Sequence, residues 1–136
     1  MNMFELLIQD LSKHLGTALH AEKGYICKLR ILGTLRVQIE HEASFNRLLI
    51  ASFLCELPPG KFREDVLKEG LKENNSLNRL GVLAYSEKNN SLAYFLYLPE
   101  TTASEKVSET LLQFIEKAKA WKTAVETGQM HLIMQH

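Results

Sequence analysis

The stretch Leu48-Leu49-Ile50-Ala51-Ser52-Phe53-Leu54-Cys55-Glu56-Leu57 decides the fold of this chain. Both sets of alternate positions are mostly apolar, so a strand made from this stretch would have no face for water. A buried helix would show the same composition. The short length and the stop at Pro58-Pro59-Gly60 favour the strand. We therefore expect a strand inside a sheet that is covered on both faces.

Length and composition are those of one ordinary globular domain. The chain has 136 residues, of which 46% are apolar and 24% charged. We expect a single domain over 1–136, with a globular core over 1–128 and a C-terminal tail over 129–136. The 16 basic and 16 acidic side chains balance, and the pI is about 7.0. Nucleic-acid-binding domains usually have a pI above about 9, so this balance disfavours that class.

The sequence indicates a cytoplasmic protein. Its apolar runs fall short of the roughly 18 residues needed to cross a membrane. The N-terminal residues lack the basic stretch and the cleavage site of a signal peptide. Cys27 and Cys55 lie in predicted strands that are rich in apolar residues, which is typical of buried thiols in a reducing compartment.

Three stretches show helical periodicity. The first is Met3–Leu15, bounded by Asn2 and Gly16, with apolar residues at Phe4, Leu7, Ile8, Leu11 and Leu15. The second is Lys61–Asn74, which contains Gly70, and this glycine indicates a packing reason, of which the close approach of another backbone is one. The third is 103–127, for which Thr102 and Glu105 predict a capping box.

The remaining apolar stretches predict strands. Tyr25–Leu32 and Leu35–Glu42 would form a meander with the strand described first, and a turn at Gly33 and Thr34 would join them. Arg79–Glu87 and Ser91–Leu98 would form a hairpin. The order αβββαββα predicts an α+β fold, an antiparallel twisted sheet of about five strands with three helices.

The sequence lacks the signatures of the common catalytic sites, and we expect no enzyme activity, no cofactor and no metal. Cys55 is the one candidate nucleophile, and a small thiol-dependent enzyme is therefore one alternative. Its apolar neighbours favour an inert thiol. A second alternative is an RNA-binding sheet, in which Tyr94 and Tyr97 would stack between strand cations such as Arg36.

The chain resembles the class I type III secretion chaperones, the CesT/SycE-like family of bacterial cytosolic proteins. The resemblance runs from Phe4 to Gly128. It is carried by the opening helix Phe4-Glu5-Leu6-Leu7, by the apolar strand closed by Leu57-Pro58 and by the mid-chain helix. Leu80-Gly81-Val82-Leu83-Ala84-Tyr85, Tyr94-Phe95-Leu96-Tyr97-Leu98-Pro99 and the long last helix complete the pattern. Family members are typically acidic, whereas this chain is neutral.

The resemblance implies a homodimer that binds the N-terminal segment of a secreted effector without nucleotide and keeps it soluble and export-competent. It also implies a dimer interface made by the mid-chain helix and the adjacent strand. The residues at these positions are Phe62, Val66, Leu67, Leu71, Leu80, Val82 and Ala84. A patch that meets its own copy suits such a two-fold interface, but the same side chains are also compatible with packing on their own sheet.

Extended segments dock by adding a strand to a sheet edge and by filling apolar pockets. The candidate cargo-binding residues are Phe4, Leu7, Leu11, Tyr25, Ile26, Leu29, Leu35, Val37 and Ile39. Each is equally compatible with the core, in which case the alternating polar residues Arg36, Gln38 and Glu40 would face the cargo. A dimeric adaptor with the same fold, docking a folded partner or the export machinery, is a further alternative.

Overall fold

A computed structural model describes residues 1–31 and 34–128 as one antiparallel sheet with three helices. The predicted tail 129–136, the end of the first strand at Leu32 and the turn residue Gly33 lie outside the described residues. The helices are α1 (Met3–Leu15), α2 (Lys61–Asn74) and α3 (Ser104–Thr127). The strands are β1 (Ala21–Glu22), β2 (Ile26–Ile31), β3 (Leu35–Glu42), β4 (Arg47–Glu56), β5 (Val82–Ser86) and β6 (Ser91–Pro99).

The six strands lie in the order β1-β2-β3-β4-β6-β5, and every neighbouring pair is antiparallel. The predicted α+β class and the element order αβββαββα are confirmed. The sheet has six strands rather than about five because Ala21–Glu22 forms a short strand against β2. Two residues are too few to show a period in the sequence.

The start of α1 follows the sequence prediction, and the start of α3 does not. The Glu5 backbone N–H donates to Asn2 Oδ1 at 2.8 Å, and the Asn2 backbone N–H donates to Glu5 Oε1 at 3.0 Å. At α3 the N-cap residue is Ala103, which makes no side-chain cap. The predicted capping box there is wrong because the Thr102 hydroxyl donates to the Pro99 carbonyl at 2.6 Å, within the preceding turn.

The core lies on one face of the sheet, beneath α1 and α3. Along β4 the side chains of Leu48, Ile50 and Leu54 are buried in that core. On the opposite face Leu49 is half-buried and Phe53 is 58% exposed. The prediction that both faces are covered is therefore wrong for this chain, because its helices cover one face and one edge. We call the other side the outer face.

Helix α2 closes the β5 edge of the sheet. Val66 is fully buried, and Gly70 faces Leu83 on β5. The Asn74 side chain donates to the Leu83 carbonyl at 2.8 Å and accepts from the Leu83 N–H at 2.9 Å. One amide side chain thus takes the place of a neighbouring strand at this edge, which blocks further strand pairing there.

Gly81→Ala is expected to reduce the free energy of unfolding by about 1–3 kcal/mol. An added Cβ would lie 2.7 Å from the Phe95 carbonyl oxygen and 3.1 Å from the Tyr94 ring. The backbone atom cannot move aside without disturbing β6. Urea unfolding followed by circular dichroism measures the loss.

The matched control for this prediction is Gly70→Ala, at the glycine that the sequence singled out. There the added Cβ would lie 3.5 Å from the Leu83 Cβ, which is ordinary van der Waals contact with a side chain rather than with a backbone. Alanine favours the helix by up to about 1 kcal/mol, so the control should be neutral or more stable. Equal stability of the two variants would contradict the assigned contact at Gly81.

Candidate functional site

Three exposed apolar side chains lie at the α2 end of the molecule. Phe62 and Leu71 on α2 are exposed, Leu71 by 64%, and Leu77 in the following loop is 100% exposed. We call these three residues the α2 surface. Leu77 was absent from the sequence-based candidates because a lone Leu between Ser76 and Asn78 has no periodic partner. The polar residues on both sides of Leu77 are the sequence feature that could have identified it as an exposed apolar residue in a loop.

The predicted interface residues do not form one surface. Phe62 and Leu71 belong to the α2 surface, whereas Leu67 and Leu80 are half-buried and pack against the core. Val66 lies within the core. Val82 and Ala84 pair with Phe95 and Ala93, so their side chains lie on the outer face of the sheet.

The outer face carries a second apolar surface. Tyr97 on β6 pairs with Leu49 on β4, and Phe95 pairs with Ala51. The Phe95 and Tyr97 rings meet edge to face, with 5.7 Å between centroids. Phe53 and Tyr97 are 58% and 44% exposed, and Leu49 and Phe95 are half-buried. We call Leu49, Phe53, Phe95 and Tyr97 the Phe53–Tyr97 patch.

Arg47 holds one end of this patch in place. Its guanidinium lies 3.7 Å from the centroid of the Tyr97 ring and 4.5 Å from that of the Phe45 ring. Its Nε donates to Glu42 Oε1 at 2.6 Å. Stacking and an ion pair together restrain this side chain, so the aromatic rings beside it are presented in a defined arrangement.

The two edges of the sheet differ. Asn74 closes the β5 edge, as described above. At the other edge β1 pairs only with Ile26 and Cys27 of β2. Residues 28–31 of β2 therefore have no strand on that side within the described part of the chain, and their backbone is open to a further strand.

A groove of about 630 Å³ runs between α1 and the loop after β6. Met3, Leu6 and Leu7 line it, together with His41 and Glu100, whose Nε2 and Oε2 atoms lie 2.7 Å apart. The groove thus has an apolar wall and a polar wall. Leu7 is the sequence-predicted cargo residue whose side chain is accessible here.

Most of the predicted cargo residues lie in the core. The buried ones are Phe4, Leu11, Leu29, Leu35, Val37 and Ile39. Tyr25 is exposed and Ile26 is half-buried beside the open residues 28–31 of β2, and the polar alternatives Arg36, Gln38 and Glu40 share the outer face. The structure therefore brings Tyr25 and Ile26 together at the edge and leaves the apolar stripe of β3 beneath the helices.

Residues 6–122 match the model of the Tir chaperone protein (CesT) family. This match spans most of the chain. The chain belongs to the Tir chaperone protein (CesT) family. The resemblance inferred from the sequence is confirmed.

Solved structures share the fold of this CesT-family chain. One chain of the HopA1–SchA chaperone–effector complex superposes with a TM-score of 0.71 at 18% identity, covering 91% of this chain and 99% of that one. A chain of the ExsC–ExsE complex gives a TM-score of 0.75 at 15% identity, covering 92% and 97%. A chain of the Yersinia pestis complex of the type III secretion chaperone SycH with a YscM2 fragment gives 0.64 at 14% identity, covering 88% and 99%. A comparison with curated protein sequences gave no significant match.

The thiols of this CesT-family chain are held in environments that disfavour the thiolate. Burial raises the pKa of the Cys55 thiol to about 11, and burial also raises the pKa of the Cys27 thiol. Both cysteines are free. A protonated thiol is a weak nucleophile at neutral pH, so Cys55 lacks the activation that a thiol-dependent enzyme needs.

Two further features bear on the alternatives considered from the sequence. Tyr94 is buried and stacks on Phe114, with 4.8 Å between ring centroids, so it is not available for stacking on RNA bases. Within the described residues, the helices are too short or too polar to cross a bilayer.

Proposed function

We propose that this chain is a cytoplasmic type III secretion chaperone, without enzyme activity, that binds the N-terminal segment of a secreted effector. It keeps the segment soluble and export-competent without nucleotide. The observation that carries the proposal is the Phe53–Tyr97 patch, an apolar surface that the chain's own helices leave uncovered. Family membership supports it, as do the similar chaperone–effector complexes.

An extended segment needs both backbone partners and apolar contacts. Residues 28–31 of β2 supply open backbone, with Tyr25 and Ile26 beside them. The Phe53–Tyr97 patch supplies the apolar contacts two to three strands away, which is roughly 10–15 Å at the usual strand spacing. A segment of about six extended residues spans that distance, so one short stretch of effector reaches both sites.

The double change Phe53→Ser and Tyr97→Ser is expected to weaken effector binding about 10- to 100-fold, because aromatic residues in the centre of a binding surface carry most of its energy. The measurement is co-expression with N-terminal segments of candidate effectors, followed by co-purification and titration of the purified pair. The matched control is Leu112→Ser, which removes an exposed apolar side chain from α3 instead. Unchanged binding by the double variant would refute the role of the patch.

We infer that the second partner of the chain is its own copy, bound through the α2 surface. Leu71 and Leu77 are large, apolar and exposed, and an isologous interface needs such side chains on each copy, whereas Phe62, nine positions before Leu71, lies about half a turn away around α2. The closed β5 edge excludes strand pairing between copies there, so side chains must make the contact.

The double change Leu71→Asp and Leu77→Asp is expected to turn the dimer into a monomer with an unchanged circular dichroism spectrum. Four carboxylates would enter the interface of each dimer, and burying them unpaired costs more than the contact supplies. Analytical ultracentrifugation measures the mass. Leu6→Asp, an exposed helix position near the opposite edge of the sheet, is the control and should stay dimeric. A dimeric double variant would place the interface elsewhere.

A dimeric adaptor that docks a folded partner or the export machinery is the second candidate. The restrained Arg47 side chain between Phe45 and Tyr97 favours it, since a preorganised surface suits a folded partner. Co-purification separates the two functions. A chaperone retains the isolated N-terminal segment of an effector, whereas an adaptor retains only the folded partner.

A further inference from the structure

The outer face has a basic corner at the end away from Tyr97. Lys28, Arg30 and Arg36 lie there, on β2 and β3, and all three are exposed. Lys28 is paired with Glu22 at 3.5 Å. Arg30 and Arg36 make no ion pair with a carboxylate of the described residues. We call Lys28, Arg30 and Arg36 the basic corner.

The two arginines oppose each other directly. Arg30 pairs with Arg36 in the β2–β3 register, so their side chains leave the same face of the sheet side by side. Like charges at directly opposed positions destabilise an antiparallel pair. The fold therefore carries two neighbouring cations at a cost to its own stability, and a bound anionic group would relieve their repulsion.

The basic corner is continuous with the Phe53–Tyr97 patch. Gln38 pairs with Ala51 at the end of the β3–β4 ladder, and Arg36 and Phe53 are the next residues on the same face of their two strands. The Ser52 hydroxyl donates to the Arg36 carbonyl at 2.6 Å, which holds the two strands together at this point. A ligand on this part of the face meets cations on one side and an exposed aromatic ring on the other.

We propose that the basic corner selects acidic–apolar polypeptide segments, with carboxylates bound by Arg30 and Arg36 and an adjoining apolar side chain packed on Phe53. The proposal rests on the proposed chaperone function, because it names the class of segment taken by the same face. Arginine binds carboxylates through two parallel hydrogen bonds, which suits this pairing. A polypeptide fits better than nucleic acid because the corner offers two unpaired cations, and the chain as a whole has no net positive charge.

The test uses fluorescein-labelled peptides of Glu-Ser-Phe-Ser repeated three times, in which the Glu and Phe side chains share one face of an extended segment, with matched peptides in which Gln or Lys replaces every Glu. Anisotropy titrations of the full chain should give the Glu peptide about tenfold higher affinity than the Gln peptide at low salt. The difference should shrink in about 0.5 M salt, where charges are screened. Equal affinities for the Glu, Gln and Lys peptides would overturn the proposal.

Arg36→Glu separates recognition from folding. It replaces a repulsive pair by an attractive one, so the melting temperature should rise by about 1–4 °C while the preference for the Glu peptide disappears. Arg30→Gln with Arg36→Gln should bring the Glu peptide to the affinity of the Gln peptide. Retention of the preference in either variant would overturn the proposal, and so would a lower melting temperature of Arg36→Glu.

Two further measurements distinguish charge selection by the basic corner from the chaperone function alone and from nucleic-acid binding. Phe53→Ser should weaken the Glu and Gln peptides alike. If all three peptides bind equally well and effector binding still needs Phe53, the chaperone function stands and the charge selection fails.

A fluorescein-labelled twelve-nucleotide strand of thymidines should bind more weakly than the Glu peptide. Tighter binding that is lost in the double glutamine variant would assign the corner to nucleic acid and overturn the proposal.

Discussion

Val66→Asp is expected to unfold the monomer rather than to dissociate a dimer. Val66 is 0% exposed, and its neighbours on α2 and β5 bury it within its own chain. An unpaired carboxylate in such a site costs about 3–5 kcal/mol, a large part of the 5–15 kcal/mol that stabilises a typical domain. Circular dichroism and urea unfolding of the variant measure the loss.

Two controls separate burial from the charge itself. Val66→Ala removes volume without adding charge and should cost about 2 kcal/mol. Leu71→Asp adds the same charge to α2 at an exposed position, so it should keep the folded circular dichroism spectrum even where it weakens the proposed dimer contact. A folded Val66→Asp monomer with the parent stability would show that Val66 faces a partner, as the sequence-based assignment to the interface implied.

Trp121→Ala is expected to reduce the free energy of unfolding by about 3–5 kcal/mol. The indole is 1% exposed and is among the largest fully buried side chains. It also lines a surface groove of about 600 Å³ between α3 and the loop before β5, beside Leu80 and Lys117. Removing the ring joins a new cavity to that groove and detaches this part of α3 from the core.

The control for Trp121→Ala is Trp121→Phe, which keeps an aromatic ring and should lose about half as much stability. Trp121 is the only tryptophan, so both variants lose the fluorescence signal and unfolding must be followed by circular dichroism. Equal stability of the alanine variant and the parent chain would place the indole outside the core.

The positions of the elements followed from local patterns, and their faces did not. The apolar period of α2 predicted a helix over Lys61–Asn74, and the structure has that helix. The same period includes Val66, which lies in the core, and Leu71, which is exposed to solvent. Val66 and Leu71 are five positions apart, about 140° around a helix of 3.6 residues per turn, so they lie at opposite margins of the apolar stripe and the packing of α2 decides which margin is buried.

The glycines show the same limit. Gly70 predicts a packing constraint because a helix interior disfavours glycine. In the structure, a Cβ added there would lie 3.5 Å from the Leu83 side chain, which is an ordinary contact distance. Gly81 showed no local conflict in the sequence. Its constraint comes from the Phe95 carbonyl oxygen on the next strand, and such a contact exists only after β5 and β6 pair.

The stretch Leu48–Leu57 shows what the sequence determines by itself and what only the tertiary structure decides. Its composition determined a central strand because so many apolar side chains must leave water. Only the tertiary structure decided that Ile50 faces the helices while Phe53 faces outward. Alternation assigns side chains to two faces but does not say which face the helices cover, since that depends on where α1 and α3 pack. The apolar side chains of the uncovered face are therefore exposed and form the proposed binding surface, whereas those of the other face are core, and burial by distant elements is the physical difference between the two.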